Sequence, residues 1–105
     1  MGGWRQWERA EELLTDTSVW LDTSFSTGTL VPLDDGYYAP ADLPLLDKER
    51  FVHMVRSFGS ERLLFGTDSP WSGQRESIDW IRALPRAEAE KDAILGDNAQ
   101  RLLEL

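Results

Sequence analysis

The stretch Leu63-Leu64-Phe65-Gly66-Thr67-Asp68-Ser69-Pro70-Trp71 constrains the fold of this chain more than any other. Its apolar run carries no polar alternation, the pattern of a parallel strand covered on both faces by helices. The run stops at Gly66, and a single carboxylate, Asp68, follows where the strand ends. In α/β barrels the C-terminal ends of the strands are where active sites are assembled. A complete eight-stranded barrel takes about 250 residues, and this chain has 105. One small partial domain over residues 1–105 is therefore expected.

Charge and composition exclude several classes of function. Eleven basic against nineteen acidic residues give a net charge of −8. Nucleic acid and anionic membrane surfaces both call for clustered Lys and Arg, so neither is expected as a partner. The absence of cysteine removes disulfides and thiolate metal sites. No N-terminal segment resembles a signal peptide and no apolar run has the length of a bilayer. A cytoplasmic protein is the expectation.

Helices and strands alternate along the sequence. Trp4 to Leu14 reads as a helix with Trp7, Ala10 and Leu14 on its apolar face and Glu8, Arg9, Glu11 and Glu12 mostly opposite. Val19 to Phe25 reads as a strand containing Asp22. Residues 26 to about 46 are broken by Gly28, Pro32, Asp34-Asp35-Gly36, Pro40 and Pro44, the composition of a lid or binding loop. Asp47 is placed to cap a helix over Lys48–Phe58, with Phe51, Val55 and Phe58 inward and Gly59 ending it. A second strand follows over Arg62–Gly66. A helix from Ser72 or Gly73 to about Leu84 carries Ile78, Ile81 and Leu84 inward. Pro85 is expected to begin the next helix, which ends at Gly96. Asp97 and Gln100 are spaced as a capping box for a last short helix, whose apolar face would be Leu102, Leu103 and Leu105. This order predicts two parallel strands with four to five helices and right-handed crossovers.

Three segments carry a family likeness. Arg62 to Trp71 resembles the last barrel strand of the amidohydrolase-related metal-dependent hydrolases. Ile94-Leu95-Gly96-Asp97-Asn98-Ala99-Gln100-Arg101-Leu102-Leu103 is similar to that family's C-terminal signature, and Val19-Trp20-Leu21-Asp22-Thr23-Ser24 to its preceding strand. The resemblance implies the C-terminal quarter to third of a (β/α)₈ TIM barrel. It implies hydrolysis of amide, ester or lactone bonds in small molecules, or decarboxylation of small aromatic acids, with a divalent metal, usually zinc. Asp68 falls where the family has an Asp that binds the metal or accepts a proton. The histidine ligands of the family lie on earlier strands. Met1-Gly2-Gly3-Trp4 resembles the tail of the sixth-strand His-x-Gly-Gly motif, with the histidine one position before Met1, and truncation or a downstream start is the expectation.

Asp68 could also be a helix cap or a buried polar group after a strand, and other residues stand near it in the pattern. Asp22, near the end of the other strand, is a candidate to orient substrate, or a turn former. Ser24 and Thr67 could donate hydrogen bonds at the same rim. Tyr37, Tyr38 and Trp71 could line a pocket under the long loop, or simply pack. His53, the one histidine, lies about 200° round the helix from Phe51 and reads as solvent-facing. Asp34 and Asp35 read as a turn, since calcium would need more oxygen ligands.

The expected function is the C-terminal part of a metal-dependent hydrolase, with Asp68 as catalytic and metal-binding residue and Asp22, Ser24 and Trp71 toward substrate. A catalytic zinc takes about three protein ligands, so the chain alone is expected to hold none and to be inactive. Two strands with open edges call for a complementing barrel portion or self-association. The alternatives are a non-catalytic oligomerising or binding module, and a decarboxylase in full-length form.

Overall fold

The computed structural model describes residues 1, 5–31 and 36–104. Its elements run α1 (Trp7–Leu14), β1 (Leu21–Asp22), α2 (Lys48–Phe58), β2 (Leu63–Leu64), α3 (Gln74–Arg82), α4 (Glu88–Asp92) and α5 (Asn98–Leu102). β1 and β2 pair in parallel, Leu21 opposite Leu63 and Asp22 opposite Leu64. The architecture is the expected α/β one, two parallel strands joined by a helical crossover.

Register decides which side chains meet the helices. Partners in a parallel pair share a face. Leu21 and Leu63 are both buried and pack with Phe51, Met54 and Val55 of α2, Ile81 of α3, Leu84 and Ile94. Phe51, Met54 and Leu63 are fully enclosed, each burial contributing about 2–3 kcal/mol. On the opposite face Asp22 is exposed and Leu64 half-buried. In a closed barrel that face would look inward.

α2 follows the sequence closely. The Asp47 carboxylate accepts the Arg50 N–H at 2.7 Å, so the predicted cap is formed. Gly59 ends the helix at φ +84°, a conformation that costs glycine little.

Several boundaries move. Of the strand predicted over Val19–Phe25, Leu21–Asp22 pairs regularly, because the chain turns at once: Ser26 donates its N–H to the Thr23 carbonyl and Phe25 takes φ +54°. Arg62–Gly66 likewise reduces to Leu63–Leu64, after a 3-10 turn over Ser60–Arg62. Trp4, Gly2 and Gly3, the Asp34-Asp35 turn with Pro32, and Leu105 lie outside the described residues. α1 begins at Trp7, and Glu11, read as solvent-facing, is buried 7% exposed because α2 presents polar partners to it. Ile78 is exposed, while Ile81 and Leu84 are buried.

The largest departure is at the C-terminal end. Pro85 does not open a helix; Ala87 is the N-cap of α4. Gly96 does not end one, and Asp97 forms no cap. Instead α4 continues through a π-helical segment, Ala93–Asp97, into α5. The Asn98 N–H reaches back five residues to the Ala93 carbonyl. This widened turn lets two groups serve β2: the Ile94 carbonyl accepts the Phe65 N–H at 3.0 Å, and the fully buried Asn98 amide donates to the carbonyls of Ser60 and Leu63 at 2.7 and 2.8 Å. Leu102 and Leu103 are exposed rather than inward.

Candidate active site

The long connection from β1 to α2 is tied down in stages. Bridges join Thr27 to Leu46 and Thr29 to Pro44, and a short 3-10 turn spans Pro40–Asp42. Val31 donates its N–H to the Trp71 carbonyl at 2.8 Å. That bond ties the loop to the segment leaving β2. Phe25, Tyr37 and Tyr38 from the loop side thereby face Asp68 and Trp71 across a pocket of about 320 Å³. The Tyr37 and Tyr38 rings meet edge to face at 4.8 Å, a favoured aromatic geometry.

Asp68 is exposed and sits at φ +55°, followed by a cis Ser69–Pro70 bond. Its carbonyl accepts the Trp71 N–H at 3.0 Å. A non-glycine residue in the left-handed region is uncommon and stays there when its surroundings hold it. The result is one carboxylate beside four aromatic rings at the C-terminal end of a parallel strand.

Of the residues singled out in the sequence, Asp68 and Trp71 share this pocket, with Tyr37 and Tyr38. Asp22 and Ser24 are together, but over Gly66 rather than among the residues lining it. The Asp22 carboxylate accepts the Ser24 N–H at 2.5 Å, the local turn that an Asp at a strand end forms. A methyl on Gly66 would overlap Ser24 Oγ and stand 2.7 and 2.8 Å from the Asp22 carboxylate oxygens. Glycine is therefore what lets those two side chains cross the strand end. Thr23, which the sequence reading passed over, lies between them in the chain and is almost fully buried. Its neighbours Asp22 and Ser24 drew attention as polar residues at a strand end, and alternation along the strand would have placed Thr23 on the buried face with Leu21.

His53 is solvent-exposed, as read, yet it has partners. Its Nδ1 lies 2.9 Å from a Glu11 carboxylate oxygen. Arg50 and Ser57 also bond that carboxylate, which pins α1 to α2. This cluster does not line the Asp68 pocket. Burial pushes the Met1 amino group below its ordinary pKa, against the opposing pull of Asp22, and its N–H groups bond the Asp22 carbonyl and Ser26 Oγ. Among the described residues no three His, Cys, Asp or Glu side chains converge to hold a metal ion. Among them, too, no helix is long and apolar enough to cross a membrane.

Comparison with known proteins fits this geometry. The family model described as amidohydrolase matches residues 1–105, and the chain belongs to that family. Gamma-resorcylate decarboxylase of Rhizobium radiobacter is 33% identical over 57 residues, 54% of this chain and 17% of the relative. A crystal structure of 2,6-dihydroxybenzoate decarboxylase from Rhizobium superposes with a TM-score of 0.59 at 22% identity, covering 90% of this chain and 23% of that one. The same enzyme complexed with 2,6-dihydroxybenzoate gives 0.60 at 23% identity and the same coverage. The fold is thus part of an α/β barrel of the amidohydrolase type, and the chain spans less than a quarter of the length of these relatives.

Proposed function

We propose that this chain forms part of the active site of a decarboxylase for small hydroxylated aromatic acids, with Asp68 as the group that exchanges the proton. The observation that carries the reading is the placement of Asp68: one acid at a parallel strand's C-terminal end, in a pocket walled by Phe25, Tyr37, Tyr38 and Trp71. Aromatic walls suit a flat ring. The relatives named for decarboxylation of dihydroxybenzoates favour this over the hydrolysis that the sequence first suggests.

The chemistry asked of Asp68 is small and balanced. A hydroxybenzoate carboxylate loses CO₂ by breaking one C–C bond, and the electron pair stays on the ring. Asp68 in its acid form gives a proton to that ring carbon and is left as the carboxylate, a general-acid step. Trp71, and on this reading Asp22 and Ser24 at the neighbouring rim, orient the substrate.

A divalent metal, zinc above all, belongs to the same reading through the family. The described residues supply Asp68 and no cluster of ligands around it, and a catalytic zinc takes about three protein ligands. Further barrel strands, in the same polypeptide or a complementing one, or further copies of this chain, would supply what is missing.

Grafting tests the reading. Residues 1–105 replace the matching segment of the Rhizobium 2,6-dihydroxybenzoate decarboxylase, and CO₂ release is followed with and without Asp68→Asn. A chimera that releases CO₂, and loses at least about 100-fold in rate on Asp68→Asn, is the expected result. A chimera whose rate is unaffected by Asp68→Asn would refute it.

A further inference from the structure

We propose that Thr23 is a positioning residue for Asp68, acting by clamping both backbone groups of Gly66. The proposal rests on the reading of Asp68 as the proton-exchanging group. It adds how the fold holds that group in place.

Regular pairing between β1 and β2 ends at Asp22 and Leu64, with one further backbone bond from the Thr23 N–H to the Leu64 carbonyl at 2.9 Å. The β1 backbone then turns away, since Ser26 bonds back to Thr23 and Phe25 adopts φ +54°. A further rung of the ladder is supplied by a side chain. Thr23 Oγ1 accepts the Gly66 N–H at 3.1 Å and donates to the Gly66 carbonyl at 3.2 Å. A hydroxyl can do both with one atom, because it carries a donor and two acceptor lone pairs. Thr23 is 1% exposed, so water does not compete at this position.

Gly66 is confined from the other side as well. Ser24 Oγ and the Asp22 carboxylate fill the space where a Cβ would stand. Two residues later the chain must enter the left-handed region at Asp68. That conformation is uncommon for a non-glycine residue and persists where the surroundings over-determine it. Gly66 is held by Thr23 upstream, and the Asp68 carbonyl by the Trp71 N–H downstream. With both ends fixed, the backbone at Asp68 is held where its side chain lines the aromatic pocket. With the upstream end loose, Asp68 relaxes to a negative φ.

Thr23→Val keeps the shape and removes the hydroxyl; Thr23→Ser keeps the hydroxyl. The test uses the full 105-residue chain, isotopically labelled for NMR. Expected for Thr23→Val are amide exchange at Gly66 about tenfold faster, matching the loss of one hydrogen bond, and loss of the strong intraresidue HN–Hα NOE at Asp68 that its positive φ produces. Amides of Phe51 and Met54 should keep their protection. Thr23→Ser should restore both readouts to within about twofold of wild type, a rescue that packing alone does not provide. An unchanged intraresidue HN–Hα NOE at Asp68 in a folded Thr23→Val chain overturns the proposal. Should Thr23→Val fail to fold, Thr23→Ser decides: wild-type values at Gly66 and Asp68 support the clamp, and a folded Ser variant that loses the Asp68 intraresidue HN–Hα NOE overturns it. None of these readouts needs turnover. Failure of the decarboxylase reading, seen as insensitivity of the grafted enzyme to Asp68→Asn, would therefore be told apart from failure of the clamp.

Discussion

Phe65 donates its backbone N–H to the carbonyl of Ile94 at 3.0 Å, joining the outer edge of β2 to the widened helical turn at Ala93–Asp97. One turn further on, Asn98 covers the Leu63 carbonyl on the same edge. An open strand edge is a row of unpaired backbone groups, and the last helix satisfies part of this one. π-turns inside α-helices are rare and cluster where structure serves a purpose; here the purpose is edge pairing.

Asn98→Ala tests that role. The substitution strips the buried Leu63 carbonyl of its donor and leaves a gap, with an expected cost of about 2–4 kcal/mol. Urea unfolding followed by tryptophan fluorescence measures it. Asn98→Asp should do no better, since a carboxylate offers no N–H to the two carbonyls.

Glu11 is the second structural hinge of the fold. Its buried carboxylate bonds Arg50, His53 and Ser57, and so carries much of the attachment of α1 to α2. Glu11→Ala leaves Arg50, whose buried Nε has no partner among the described residues, short of its carboxylate as well. A loss of about 3 kcal/mol is expected, read in the same unfolding experiment. Hydrogen exchange should show α1 opening first.

Gly66→Ala places a methyl where Ser24 and Asp22 already stand. Overpacking of this kind costs about 1–3 kcal/mol. The double variant Gly66→Ala with Ser24→Gly should recover part of that loss, because the nearest overlapping atom is gone. Thermal unfolding of the two variants makes the comparison.

Acid should weaken the junction of α3 and α4. The Lys91 ammonium, itself buried, bonds the Glu88 carboxylate and the Arg82 carbonyl, both at 2.8 Å. The hydrogen bond from Lys91, then its charge, holds Glu88 below the usual glutamate range. A carboxyl lowered in the folded state stabilises fully above its unfolded pKa and loses that contribution as pH falls through the folded one. The urea midpoint should therefore fall as pH drops below the ordinary glutamate range, and fall less in Glu88→Gln.

Much of the architecture was legible in the sequence for plain reasons. Asp47 and Gly59 bracket α2 because capping and left-handed termination are local chemistry. The apolar run at Leu63 marks β2 because an unalternating apolar stretch is the pattern of a parallel strand, although here Leu63 is buried and Leu64 half-buried. Gly96 and Asp97 misled because their local preference for a break is overridden by non-local bonds from Ile94 and Asn98 to β2. Strand length at Val19–Phe25 exceeds the paired residues because β-favouring Val19, Trp20, Thr23 and Phe25 flank the two that pair, Leu21 and Asp22, before the chain turns. In the site, Asp68 and Trp71 stood out by position. Tyr37 and Tyr38 join them through the loop bond from Val31 to Trp71, which no sequence period announces.

The most direct measurement of the central claim is a titration of 2,6-dihydroxybenzoate into the labelled chain, followed by NMR. Saturable shifts centred on the Trp71 indole and on Phe25, Tyr37, Tyr38 and Asp68, weakened in Asp68→Asn, are predicted. Shifts that leave those five residues in place while moving others, or none at millimolar ligand, would contradict the assignment of this pocket.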